Sequence, residues 1–140
     1  MMTTQTPAEQ VVACFLQYVH ALDDRRWADA AAQFSPQGVL AFGTDETTGH
    51  AEIARRIESD LSRYLMTWHT VATPLVEIDG DRARLTAASS GVHLREPAST
   101  QNATTIGGRY NAWLSRTEKG WLIDRVAPDY LWRSGPPLDH

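Results

Sequence analysis

Residues 67–95 read TWHTVATPLVEIDGDRARLTAASSGVHLR. Two runs, Thr67–Ile78 and Arg82–Arg95, are separated only by Asp79-Gly80-Asp81. A link that short is hairpin chemistry and joins antiparallel strands, because a parallel crossover needs a dozen residues or more. In the second run the odd positions are Ala83, Leu85, Ala87, Ser89, Gly91 and His93, and the even ones start Arg82, Arg84, Thr86. Strict alternation therefore puts His93 on the inner face with Leu85 and Ala87. His69 shares a face with Val71 and Leu75, and Glu77 lies on the same side, unless Pro74 introduces a bulge. The small side chains at 87, 89 and 91 leave inner volume unfilled, as a pocket requires.

Downstream, two more β runs follow, Thr104–Arg116 and Trp121–Val126, linked by the polar loop Glu96–Ala103 and the tight turn Thr117–Gly120. Four strands so connected predict an antiparallel meander. Upstream the period changes to that of helices. Thr6, Pro7 and Glu9 form a capping box with proline at the first helical position, and Val11, Val12, Phe15, Leu16, Val19 and Leu22 form one apolar stripe. Asp23-Asp24 are placed to cap a second helix running to about Phe34, which Ser35-Pro36-Gln37-Gly38 stops as a turn. Val39–Phe42 reads as a short strand, residues 43–49 as a loop or hairpin tip, and about Ala51–Leu65 as a third helix carrying Ile53, Ile57 and Leu61. Helices first and strands later predict an α+β fold, three N-terminal helices packed in a curved sheet. One domain over residues 1–140 is expected, with a core at about 8–133 and a tail that is ordered near Tyr130-Leu131-Trp132 and loose beyond.

Composition narrows the function. Of 140 residues 42% are hydrophobic and 21% charged, with 13 basic against 17 acidic residues and a net charge of −4. There is no basic stripe for nucleic acid and no polybasic membrane patch. The single cysteine, Cys14, lies in the apolar stretch of the first helix and reads as a buried, inert thiol suited to a reducing compartment. No stretch approaches the ~18 apolar residues of a membrane span, and the N-terminus lacks the pattern of a secretory signal. A soluble cytoplasmic protein is expected. No phosphate-binding loop, dinucleotide fingerprint or nucleophile elbow occurs, and the histidines lack zinc-site spacing. Each strand histidine could be a core or edge residue bonded to a harmless partner, but two on facing inner surfaces each need a partner if buried.

A helix, then L-D-D-R-R-W, a second helix, a strand, a G-H-A-E-I helix, a W-H-T strand and a meander ending in G-W-L-I resembles the SnoaL-like proteins. Their fold is shared with nuclear transport factor 2, ketosteroid isomerase and scytalone dehydratase. The resemblance covers about residues 8–133 and implies a cone-shaped α+β barrel around an apolar pocket, commonly dimeric through the sheet. The scytalone dehydratase-like branch is the nearest match. There an aspartate before the second helix pairs with a histidine early in the first long strand, positions held here by Asp23 and His69; His93 matches a second histidine. Tyr18 matches a tyrosine used by a bile-acid dehydratase of the fold. Leu22 and Phe42 replace two tyrosines of scytalone dehydratase, which points away from scytalone itself.

The resemblance implies a cofactor-free, metal-free lyase of dehydratase type acting on a small hydrophobic cyclic or polyketide-like substrate. Asp23 would orient His69, and His69 would take a proton next to a carbonyl. Tyr18 or Tyr110 would donate to the enolate oxygen, and His93 would protonate the departing hydroxyl. Tyr110, Phe42, Trp27, Trp68 and Trp132 are the aromatic residues expected to contact substrate. The same parts could serve a polyketide cyclase or isomerase, and a non-catalytic ligand-binding dimerisation module remains a third reading.

Overall fold

The structure is a computed structural model and describes residues 4–139. Helix α1 spans Pro7–Asp23. Its capping box forms as expected: the Glu9 amide donates to Thr6 Oγ1 at 3.1 Å and the Thr6 amide to Glu9 Oε1 at 3.3 Å. Val11, Phe15, Tyr18, Val19 and Leu22 are buried along one face. Helix α2 is only Trp27–Ala32. Neither aspartate caps it: Asp24 closes α1, Arg25 adopts a left-handed φ of +59°, and Arg26 stands at the α2 N-cap with no side-chain bond to the helix backbone. That tight reversal frees the Asp23 carboxylate to turn elsewhere.

Strand β1 runs Phe34–Phe42, so Ser35–Gly38 is not the predicted turn. It is an irregularity within a strand, where the register against a later neighbour shifts between Phe34 and Val39. Strand β2 (Asp45–Thr48) folds back on β1, and helix α3 (His50–Leu61) follows, shorter than the sequence pattern suggests. The long strands are β3 (Met66–Asp79), β4 (Arg82–Leu94), β5 (Thr104–Thr117) and β6 (Gly120–Val126), close to their predicted limits. Strand β7 (Asp129–Ser134) is an extra element, where the sequence pattern predicts only a partly ordered tail.

The seven strands make one curved sheet of order β2-β1-β6-β5-β4-β3, with β7 paired to β5 beyond the end of β6. All pairs are antiparallel except β1 with β6. The sheet does not close: β2 and β3 are its two edges, so the predicted barrel is an open, mixed α+β cone with helices packed in its concavity. Phe15 of α1, Ile53 of α3 and Phe34, Leu40, Leu85, Leu114 and Ile123 of the sheet are fully buried between the layers. Each contributes about 1.5–3 kcal/mol of hydrophobic stabilisation. Strand β7 reaches β5 because Gly107 has no side chain; a Cβ there would lie 1.9 Å from the Trp132 ring.

The alternation read from β4 holds along its length, with Ala83, Leu85, Ala87, Gly91 and His93 buried. In β3 it holds only up to Ala72. A bulge between Ala72 and Leu75, with Thr73 at φ +49°, shifts the pairing. Leu75 and Glu77 are therefore exposed on the outer face, and Val76 packs on the core instead.

Candidate active site

The first half of β3 and the second half of β4 are paired so that Thr67 faces His93 and His69 faces Gly91. All four point into the cone, beneath the end of α1. Gly91 is a spacing residue: a Cβ there would stand 3.0 Å from His69 Cδ2 and 3.6 Å from His93 Cε1. The glycine makes room for the His69 ring beside His93, their ring centroids 6.1 Å apart at 77°.

Asp23 collects three donors from β3. His69 Nδ1 lies 2.6 Å from Asp23 Oδ1, the His69 backbone amide donates to Oδ2 at 2.8 Å, and the Thr67 hydroxyl donates to Oδ1 at 3.1 Å. With a carboxylate at Nδ1, that nitrogen carries the proton and Nε2 is left as the acceptor. The side chains are only 11% and 18% exposed, for His69 and Asp23, so bulk water screens the pair little. Thr67 is itself buried. The sequence reading passed over it, although alternation places it on the same face as His69.

His93 is 6% exposed. Its Nδ1 donates to the Thr104 carbonyl at 3.1 Å, and its ring packs edge-on against Tyr64 at 4.9 Å. Burial pulls its pKa below 6.5, and the neighbouring His69 and Arg95 push the same way, while the carbonyls of Thr104 and Gly91 oppose the shift. His93 is thus a neutral imidazole near pH 7 with Nε2 as acceptor. That state does not supply a proton on its own.

A cavity of about 260 Å³ opens beside these groups. For comparison, ~150 Å³ suffices for benzene. Tyr18, Phe42, His69, His93 and Tyr110, all expected from sequence, line it. The Tyr18 and Tyr110 hydroxyls are held protonated because burial raises both pKa values, with Tyr130 adding to the effect on each. Phe15 wedges the Tyr110 ring edge-on at 5.0 Å and Phe34 does the same for Tyr18 at 5.3 Å. Both hydroxyls therefore stay available as donors, on rings held in place by packing.

The three tryptophans do not join them. Trp27 is half-buried against the helical core, Trp68 lies 59% exposed on the outer face of β3, and Trp132 lies 52% exposed over Gly107 on the outer face of the sheet. Their aromatic character gave no information about face; the parity of β3 placed Trp68 opposite to His69. Residues not singled out as site residues by the sequence reading also line it, among them Arg56, Asp60, Tyr64, Tyr130 and Leu138. Tyr130 is largely exposed, yet its hydroxyl end is crowded by protein, and burial pushes it up to about 12. Among the described residues no three His, Cys, Asp or Glu side chains converge as a metal-binding group. Cys14 is buried outside the cavity lining and donates to the Trp121 carbonyl, and burial pushes its thiol up to about 11. No helix among the described residues is long and apolar enough to cross a membrane.

Comparison with known proteins adds to this geometry. The SnoaL-like domain profile matches residues 7–127. A structure from Novosphingobium aromaticivorans, provisionally named an aromatic ring hydroxylase, is 26% identical with a TM-score of 0.81, over 94% of this chain and 96% of that one. A second protein of that organism, provisionally named a scytalone dehydratase, has a TM-score of 0.81 at 13% identity, over 93% and 87%. A hexachlorocyclohexane dehydrochlorinase from Novosphingobium barchaimii has a TM-score of 0.78 at 10% identity, over 94% and 90%. The last two likenesses show the shared fold. Among curated proteins, none matches.

Proposed function

This chain belongs to the SnoaL-like domain family, and from that premise we propose that it is a cofactor-free acid–base lyase of dehydratase type. The observation that carries the reading is the 2.6 Å contact of His69 Nδ1 with Asp23, which leaves Nε2 as a base beside a cavity. His69 Nε2 takes the proton from the carbon next to a substrate carbonyl, and the electron pair moves onto the carbonyl oxygen. Tyr18 or Tyr110 donates to that oxygen, a contribution of ~3 kcal/mol per well-placed donor. When the carbonyl re-forms, the C–O bond to the neighbouring hydroxyl breaks and a double bond forms. The proton now on His69 leaves with the hydroxyl as water. Neutral His93 serves this sequence as an acceptor for the substrate hydroxyl, in place of the acid role that the family resemblance implied.

The substrate is an uncharged, ring-bearing molecule. Arg56 is a cation lining the cavity, and Asp60 at 2.8 Å and Asp45 at 2.9 Å already balance it. A carboxylate or phosphate would have to displace one of them. The 26%-identical neighbour, named for an aromatic ring, supports a cyclic substrate. A homodimer through the sheet would cover Trp68 and Leu75 of the outer face; sedimentation velocity of wild type against Trp68→Glu tests that part.

The test of function is a screen of neutral cyclic β-hydroxy ketones, following water loss by mass, with wild type and Asp23→Asn. A fall of ~10²-fold or more in kcat with an unchanged far-UV spectrum is expected. A modest fall would favour a cyclase or isomerase whose pocket mainly folds the substrate. Binding without turnover by either protein would leave a ligand-binding module.

A further inference from the structure

Beyond Ser134 the chain does not trail away. Gly135 takes a φ of +89°, and a Cβ there would stand 2.1 Å from the Ala103 carbonyl oxygen. Glycine at this point lets the chain turn sharply against the 96–103 loop. The Pro136 carbonyl then accepts from the Thr104 hydroxyl at 2.6 Å. Arg95 holds the next three residues in place. One guanidinium nitrogen donates to the Pro137 carbonyl at 3.1 Å and to Asp139 Oδ1 at 3.3 Å. Its other terminal nitrogen holds Thr104 Oγ1 at 2.8 Å and the Asn102 carbonyl at 2.6 Å. The same guanidinium lies 5.2 Å over the Tyr64 ring, and the Asp139 amide donates to the Tyr64 hydroxyl at 2.8 Å. Residues 135–137 are exposed, but Leu138 turns inward and lines the cavity with Tyr64, His93 and Ile106.

We propose that Gly135–Asp139 is a wall of the substrate site, with Leu138 setting the size of ligand admitted and Arg95 acting as the positioning residue that holds it. This rests on the reading of the cavity as a ligand site, and it does not require catalysis. The wall is laid on from the surface by a handful of hydrogen bonds and one apolar side chain. It is therefore the part of the lining that opens at least cost, since segments with few buried contacts open before the core. Ligand enters by its release, and Leu138 is the specificity-determining side chain because it lines the pocket alongside His93 without belonging to the sheet.

Two measurements test this without a known substrate. Diethyl pyrocarbonate acylates neutral imidazole nitrogen, so the rate at His69 relative to exposed His20, read by peptide mass spectrometry, reports access to the cavity. Leu138→Ala and Arg95→Leu are each expected to raise that ratio several-fold, the second from outside the cavity. Leu138→Ala carries little folding risk, and it stands if Arg95→Leu loses the fold. The second measurement is binding of the uncharged fluorophore N-phenyl-1-naphthylamine, which Leu138→Trp should weaken at least about tenfold. Unchanged His69 reactivity in Leu138→Ala overturns the proposal, as does equal fluorophore affinity in wild type and Leu138→Trp. Failure of the acid–base reading shows as retained turnover in Asp23→Asn, and failure of the wall as unchanged His69 access in Leu138→Ala, so the two give different results.

Discussion

The β3–β4 ladder has two ends built from the same two strands, and they do opposite things. At the hairpin end the inward residues are Val76, Ala83 and Leu85, which pack on the common core. At the other end the inward residues are Thr67, His69, Ser89, Gly91 and His93; the last four bound a cavity, and Thr67 is buried behind them on Asp23. The bulge between Ala72 and Leu75 separates them. In the core half any apolar side chain of the right volume serves. In the pocket half three polar groups have directed partners: Thr67 and His69 have Asp23, and His93 has the Thr104 carbonyl. One strand pair can therefore carry both stability and chemistry, because the first needs volume and the second needs satisfied, directed polar groups.

Cutting into the core half should cost the most. Leu85 is fully buried, and Leu85→Ala should lower unfolding free energy by about 2–5 kcal/mol in urea titrations, with the cavity-lining geometry preserved where the protein remains folded. In the pocket half the cost should appear in chemistry instead. Asp23→Asn should lose turnover by ~10²-fold with a smaller change in stability. Thr67→Val is the finer cut. It keeps the shape of Thr67 and removes one of three donors to Asp23, so it should destabilise by about 1–2 kcal/mol. It should also broaden the His69 side-chain NMR signals as the carboxylate gains freedom to rotate. If Thr67→Val and Leu85→Ala proved alike in both readouts, the division of labour along the ladder would be wrong.

Much of this contrast was legible in the sequence, and the failures have physical causes. The parity of Arg82–Arg95 put His93 and the small residues inside because side chains alternate strictly in an unbroken strand. The same rule failed for Leu75 and Glu77, because Pro74 removes a ladder donor and the strand bulges there. Ser35–Gly38 reads as a turn by composition, yet pairing with β6 extends it as an irregular strand, a tertiary contact that no local pattern records. Trp27, Trp68 and Trp132 were expected at the site on ring chemistry alone, which says nothing about face. Strand β7 and the wall beyond it were the least legible. Their contacts are with β5 and Arg95, distant in sequence, and the signals were the glycines at 107 and 135 that make room for them.

The subtlest difference between the two halves is in their response to acid. His93 is buried with its pKa held below 6.5 by desolvation, whereas in the unfolded chain it titrates near 6.5. As pH falls from about 7.5 the unfolded state takes up this proton first, so it binds more protons than the native state and stability must fall. The loss begins as pH passes about 6.5 and ends at the lower native pKa, with a slope of at most about 1.4 kcal/mol per pH unit for one proton. His93→Gln should flatten the unfolding free energy measured in urea between about pH 7 and 5.5, above the range where ordinary carboxylates titrate. Leu85→Ala should lower that curve without changing its slope, because the inward residues of the core half, Val76, Ala83 and Leu85, do not titrate. An unchanged slope in His93→Gln would mean that His93 is hydrated in solution, and the pocket half would then owe its order to the Asp23 cluster alone.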